Sequence, residues 1–143
     1  MLLIGIDSGV RTGYAVWDTG NQQFTAIRTM MIHQALEAVR DLRQRHTIKV
    51  IVEDARQRRW IPKERSISEM RGRMQGAGSV KRDAKIWEDA LKDWGIPYEM
   101  VPPRRGHTKW TEEEFRAVTG WRSRTTEHAR DAALLVIGRG DQE

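Results

Sequence analysis

Asp7, the pair Glu53-Asp54, and His128 with Asp131 are the side chains whose surroundings ask for chemistry. Asp7 closes an apolar run, Leu2-Leu3-Ile4-Gly5-Ile6, and Glu53-Asp54 closes a second, Ile48 to Val52. A carboxylate at the end of a buried strand is costly unless something compensates it. Gly5 and Gly9 leave room near Asp7 for a backbone or a ligand to approach. His128 and Asp131 are three apart and share a helix face, and Glu127 and Asp131 are four apart. Two acids at that spacing repel unless a cation intervenes, and Arg130 or Arg124 can supply it. Plainer readings stand beside these: Asp7 capping its turn through Asx hydrogen bonds, the second acid pair lying in solvent, His128 on a helix surface. If the last helix packs over the first strand, Asp7, Glu53, Asp131 and His128 converge. Oxygen-rich clusters with open positions hold Mg²⁺ or Mn²⁺. Two such ions, about 3.5–4 Å apart, activate a water and stabilise the leaving oxygen of a phosphodiester. His128 is then a metal ligand or a proton carrier.

The elements that would position these residues follow from periodicity. Leu2 to Asp7 reads as a strand buried on both faces. Ser8 to Gly13 supplies a turn, and Tyr14 to Trp17 a returning strand. Asn21-Gln22 signals a turn into a third strand, Gln23 to Met31. Leu36, Val39 and Leu42 place an amphipathic helix over His33 to His46. Ile48 to Asp54 follows that helix and is expected parallel to the first strand. Carboxyl ends of such strands are where open α/β sheets place ligands. Val80, Ala84, Trp87, Leu91 and Trp94 predict a long helix over Gln75 to Gly95, closed by Gly95. Tyr98 to Val101 is a short strand stopped by Pro102-Pro103. Thr111, with Glu114 three residues on, caps a short helix ending at Thr119-Gly120. Thr125 or Thr126 caps the last helix, Glu127 to Ile137. The expectation is an α/β fold, with residues 1–138 forming a single domain and 139–143 a polar tail.

Composition points to the partner. The chain of 143 residues carries a net charge of +5, and its pI is near 10.0. That favours a polyanion. Without cysteine, disulfides and thiolate metal sites are excluded. No apolar run reaches a membrane span, and no signal peptide is evident, so the expectation is a cytoplasmic protein that needs no small-molecule cofactor. Positive charge is concentrated in two segments. The first holds Arg56, Arg58, Arg59, Lys63, Arg65, Arg71 and Arg73. The second holds Arg104, Arg105, Lys109, Arg122 and Arg124. With Arg11, Lys81 and Arg82 these are the candidate phosphate contacts. Trp60, inside the first segment, either stacks on an unpaired base or anchors its loop to the core.

The opening IGIDSGVRTGYAVWD, the strand IVED and the helix EHARDAALLVIG together resemble the RuvC-type Holliday junction resolvases. The likeness extends over almost the whole chain. It implies a ribonuclease H-like fold: a five-stranded mixed sheet, three antiparallel strands then two parallel, flanked by helices. It also implies metal-binding acids at Asp7, Glu53 and Asp131, with His128 at a fourth position where the family carries Asp or His. Lys109 becomes the basic residue near the scissile phosphate, and Trp60 the aromatic that pries at a junction. The long helix near Val80 to Trp94 becomes a homodimer contact. Ser8 departs from the family, which has proline after the first acid. The chain's size fits a compact, phage-type relative. The implied activity is Mg²⁺-dependent endonucleolytic cleavage of branched DNA. A ribonuclease of the same fold acting on RNA or RNA–DNA hybrid, and a non-catalytic nucleic-acid binder, are the alternatives.

Overall fold

The computed structural model describes residues 1–58, 67–103 and 110–141, and for 67, 68 and 70–77 the backbone alone. Three strands come first: β1 (Leu2–Asp7), β2 (Arg11–Asp18) and β3 (Gln23–Met31). They pair antiparallel, β1 with β2 and β2 with β3. The second turn is tight enough to hold Gln22 at φ 53°. After helix α1 (Ile32–Arg45) the chain returns as β4 (Ile48–Glu53), parallel to β1. A short 3-10 turn (Ala55–Gln57) and the long helix α2 (Ile67–Asp93) lead to β5 (Tyr98–Val101), parallel to β4. The helices α3 (Glu112–Thr119) and α4 (Glu127–Leu134) complete the order. The sheet runs β3-β2-β1-β4-β5. The expected mixed sheet is therefore present, with β1 at its centre.

Alternation along the strands sorts residues to two faces. Ile4, Ile6, Val50 and Val52 point to one face, under Val39 of α1 and Trp87 and Leu91 of α2. Leu3, Ala15, Trp17 and Ile51 point to the other, under α3, α4 and Val136. Because both faces are covered, β1 reads as a continuous apolar run.

Several boundaries differ from expectation. β2 extends beyond Tyr14 to Trp17 at both ends, because the ladder to β1 and β3 continues past the apolar residues. α2 begins at Ile67, not Gln75. Gly72, Gly76 and Gly78 suggest a loose start, since each glycine weakens a helix by about 1 kcal/mol. That cost is local and does not break the backbone ladder. α4 ends at Leu134, where turns carry the chain through Val136 to Gly138. Beyond it, the Arg139 carbonyl accepts from Trp17 Nε1 (3.0 Å) and Gln22 Nε2 (3.1 Å), and Asp141 bonds the Thr19 hydroxyl. Residues 139–141 thus lie against the β2–β3 turn. Among the described residues no helix is long and apolar enough to cross a membrane.

Candidate active site

Asp7 and Glu53 stand at the carboxyl ends of β1 and β4, and the parallel ladder pairs them residue to residue. Both continue the face that α4 covers. On the other side of β1, Asp7 is opposite Gly13 of β2. α4 crosses this face unusually close to the backbone. A Cβ at Gly5 would fall inside contact distance of the Ala132 carbonyl oxygen, and one at Gly13 inside that of the His128 carbonyl. Ala129, Ala132 and Ala133 form the buried stripe of the helix. Small residues on both partners let helix and sheet meet backbone to backbone, which seats the first turn of α4 above Asp7.

The start of α4 is pinned from several directions. The Thr126 hydroxyl accepts from the Ala129 N–H at 3.1 Å and bonds the Thr29 hydroxyl of β3. Arg130 donates Nε–H to the Trp110 carbonyl (2.9 Å) and Nη1 to the Thr125 carbonyl (2.8 Å) and hydroxyl (3.0 Å). Arg130 therefore donates to oxygens at the helix entry. From this pinned turn His128 reaches back, and its Nδ1 donates to Asp7 Oδ2 at 3.1 Å. The His128 side chain is 56% exposed and Asp7 17%, so the pair sits at the surface end of the sheet. That bond fixes the tautomer and leaves Nε2 as the nitrogen for other chemistry. Asp131 lies one turn further along α4, half-buried.

Among the described residues no group of three or more His, Asp or Glu side chains stands close enough to hold a metal ion. Asp7 and His128 are in contact, with Glu53 beside them in register. Donor type suits a hard divalent cation. Mg²⁺ in particular keeps several waters and binds through one or two carboxylates, without a closed protein cage. Asp7 and Glu53 are the pair that could do this.

Asp54 behaves differently from its neighbour. It continues the alternation to the α2 face, where its side chain is only 4% exposed. Burial opposes its charge, but hydrogen bonds from the Arg56 side chain and backbone and from Gln57 outweigh this. The carboxyl is held below the usual range. Arg56 grips both oxygens, through Nε to Oδ1 (2.8 Å) and Nη2 to Oδ2 (2.9 Å), and its Nη1 reaches Glu88 of α2 at 3.3 Å. These bonds, to Asp54 first and Glu88 second, raise the Arg56 pKa. Arg56 is read from sequence as a phosphate contact; in the fold it remains exposed, and its guanidinium bonds two carboxylates. Period-two alternation past Glu53 was the available signal, since it sends Asp54 to the opposite face. Ser8, unremarked in the sequence except as a departure, is buried and donates its hydroxyl to the Glu53 carbonyl at 3.2 Å.

Of the other candidate phosphate contacts, Arg11 is exposed at the start of β2, Arg122 and Arg124 are exposed between α3 and α4, and Lys81 and Arg82 are exposed on α2. Arg58 is exposed just after the 3-10 turn. Arg59, Trp60, Lys63, Arg65, Arg104, Arg105 and Lys109 lie outside the described residues, as do the side chains of Arg71 and Arg73.

No protein-family model and no curated protein matches the chain. Among solved structures, it is similar to T. thermophilus RuvC in complex with a Holliday junction substrate. The TM-score is 0.56 over 96% of this chain and 91% of that one. The protein has a RuvC-like, ribonuclease H-like fold. At 18% identity the similarity to RuvC carries the architecture.

Proposed function

We propose that this protein is a divalent-cation-dependent endonuclease that cleaves branched DNA, in the manner of a Holliday junction resolvase. The observation that carries the proposal is the pairing of Asp7 and Glu53 at adjacent strand ends, with His128 seated on Asp7. The RuvC-like architecture and the positive charge support it. Asp7 and Glu53 would hold Mg²⁺ or Mn²⁺, with Asp131 and His128 adjoining, and bound cations would supply an activated water and charge stabilisation at the phosphate. The chain's own residues do the rest. Asp7 keeps His128 in one tautomer, so that Nε2 can carry a proton. Arg11, Arg122 and Arg124 at the same end of the sheet would neutralise flanking phosphates. Two copies of the chain would serve the two symmetric strands of a junction, and α2, which exposes Ile86, is the surface we assign to that contact.

The test is a panel of synthetic four-way junctions, linear duplexes and RNA–DNA hybrids, incubated with Mg²⁺. Paired nicks near the crossover are expected. Cleavage of the hybrid alone would transfer the site to ribonuclease chemistry. Binding without cleavage of any substrate would make the protein a binding module. Asp7→Asn should abolish cleavage while junction binding survives, because the substitution keeps the shape and removes the charge.

A further inference from the structure

We infer that Ser8, Asp54 and Arg56 form a positioning clasp that acts through the backbone of Glu53 and fixes its spacing from Asp7. The inference rests on the site proposed above. It begins from an energetic oddity. A buried carboxylate such as Asp54 needs compensation, and its partner Arg56 is an exposed residue, so the pair by itself is weak evidence for stability. This one sits one residue beyond Glu53, and its bonds converge on that strand end. The Ser8 hydroxyl holds the Glu53 carbonyl from the β1 side. The Asp54 N–H donates to the Val101 carbonyl of β5 at 2.7 Å. The Asp54 carboxylate accepts from the Arg56 backbone N–H (3.0 Å), the Arg56 fork and Gln57 Nε2 (3.3 Å). Gln57 Nε2 also donates to the Met100 carbonyl at 3.0 Å, and Arg56 continues to Glu88.

The peptide following Glu53 is thus tied to β1, β5 and α2 at once. None of these bonds uses the Glu53 side chain, which belongs to the opposite face. Ser8 and Asp54 are the immediate successors of the two acids, so the clasp links the two strand ends directly. Groups that orient a ligand from behind are worth about 10–100-fold in metal affinity or activity. A guanidinium fork on a carboxylate cannot be replaced by a lysine point charge. A phosphate contact largely can. That difference separates a positioning role from a binding role.

The experiment compares the full chain with Arg56→Lys, Arg56→Gln, Ser8→Ala and Glu53→Gln. It reads Mn²⁺ binding by calorimetry without DNA, four-way-junction binding across a salt series without divalent ions, and amide hydrogen exchange at Asp54. Arg56→Lys is expected to weaken Mn²⁺ binding about 10-fold, to speed exchange at Asp54, and to leave the junction Kd unchanged. Ser8→Ala should act in the same direction, and it carries the test if Arg56→Lys fails to fold. Wild-type Mn²⁺ affinity in Arg56→Lys would overturn the clasp. So would a reduced salt slope in Arg56→Gln, which would make Arg56 a phosphate contact. If the unaltered protein binds no Mn²⁺, and Glu53→Gln changes nothing, the nuclease reading falls. The clasp is then decided by exchange alone: faster at Asp54 in Arg56→Lys sustains it, and unchanged exchange overturns it.

Discussion

The α1–α2 face of the sheet and the patch of the other face that α4 crosses are packed by opposite means. Under α1 and α2 lie large side chains, Ile4, Ile6, Val50, Val52, Trp87 and Leu91. Where α4 crosses, glycines and alanines bring the helix backbone nearly onto the strands, and Leu3, Trp17, Ile51 and Phe115 fill the rest of that face. The first arrangement removes much apolar area from water and supplies the driving force for folding. The second buries less per residue but leaves little freedom in where the helix sits, because backbone meets backbone with no flexible side chain between. The residues proposed to do chemistry are all on the second face. Stability and placement are divided between the two sides of one sheet.

That division can be broken from either side. Trp87→Ala, in the large-residue layer, should have the largest effect on folding. A fully buried tryptophan truncated to alanine costs about 3–5 kcal/mol. The urea midpoint measures it, and whatever remains folded in the cold should retain the Asp7–His128 contact, visible as an unchanged nuclear Overhauser effect between the two side chains. Gly13→Ala should cost less stability, about 1–3 kcal/mol for overpacking, yet abolish cleavage, because α4 must move off the His128 carbonyl contact. Equal losses of activity per kcal/mol in the two variants would show the division to be unreal. Thr126→Ala removes the cap of α4 and should cost about 1 kcal/mol, with a fall in activity larger than that of an exposed control such as Val118→Ser.

The last effect is one of pH dependence, present at neutral pH and fading in acid. The Asp54 carboxyl is held below its ordinary value in the folded chain. Its contribution is therefore complete above the unfolded Asp pKa, near 3.9, and is lost as pH falls through the lower folded value. Asp54→Asn should flatten that part of the stability curve between neutral and strongly acidic pH, measured by urea midpoints at each pH.

Much of this layout could be read from residues alone, and the reasons are local. β3 (Gln23–Met31) and α3, with its Thr111 cap and Gly120 terminus at φ 73°, match expectation because turn and cap chemistry is written in a few adjacent residues. The parallel return of β4 follows from an intervening helix. What escaped depends on contacts across the chain. Gly13 looks like a turn residue until α4 is laid over it. Arg56 looks like one more cation in a basic run until Asp54 turns out to face α2. Arg130 looks only like compensation for Glu127 and Asp131 until its bonds to oxygens at the helix entry are seen. In each case the amino-acid type was plain, and the partner lay on another element.

The in-register ladder joining β1 to β4 acts as a ruler. Neighbouring strands are spaced about 4.8 Å apart, so the roots of Asp7 and Glu53 sit at a distance written in backbone hydrogen bonds. Sliding one strand cannot retune it, because a one-residue slip would send a carboxylate to the wrong side. Only reach remains adjustable, one methylene at a time. Asp7→Glu and Glu53→Asp are therefore not neutral exchanges: each resets the gap between the two acids by a fixed step the scaffold cannot absorb.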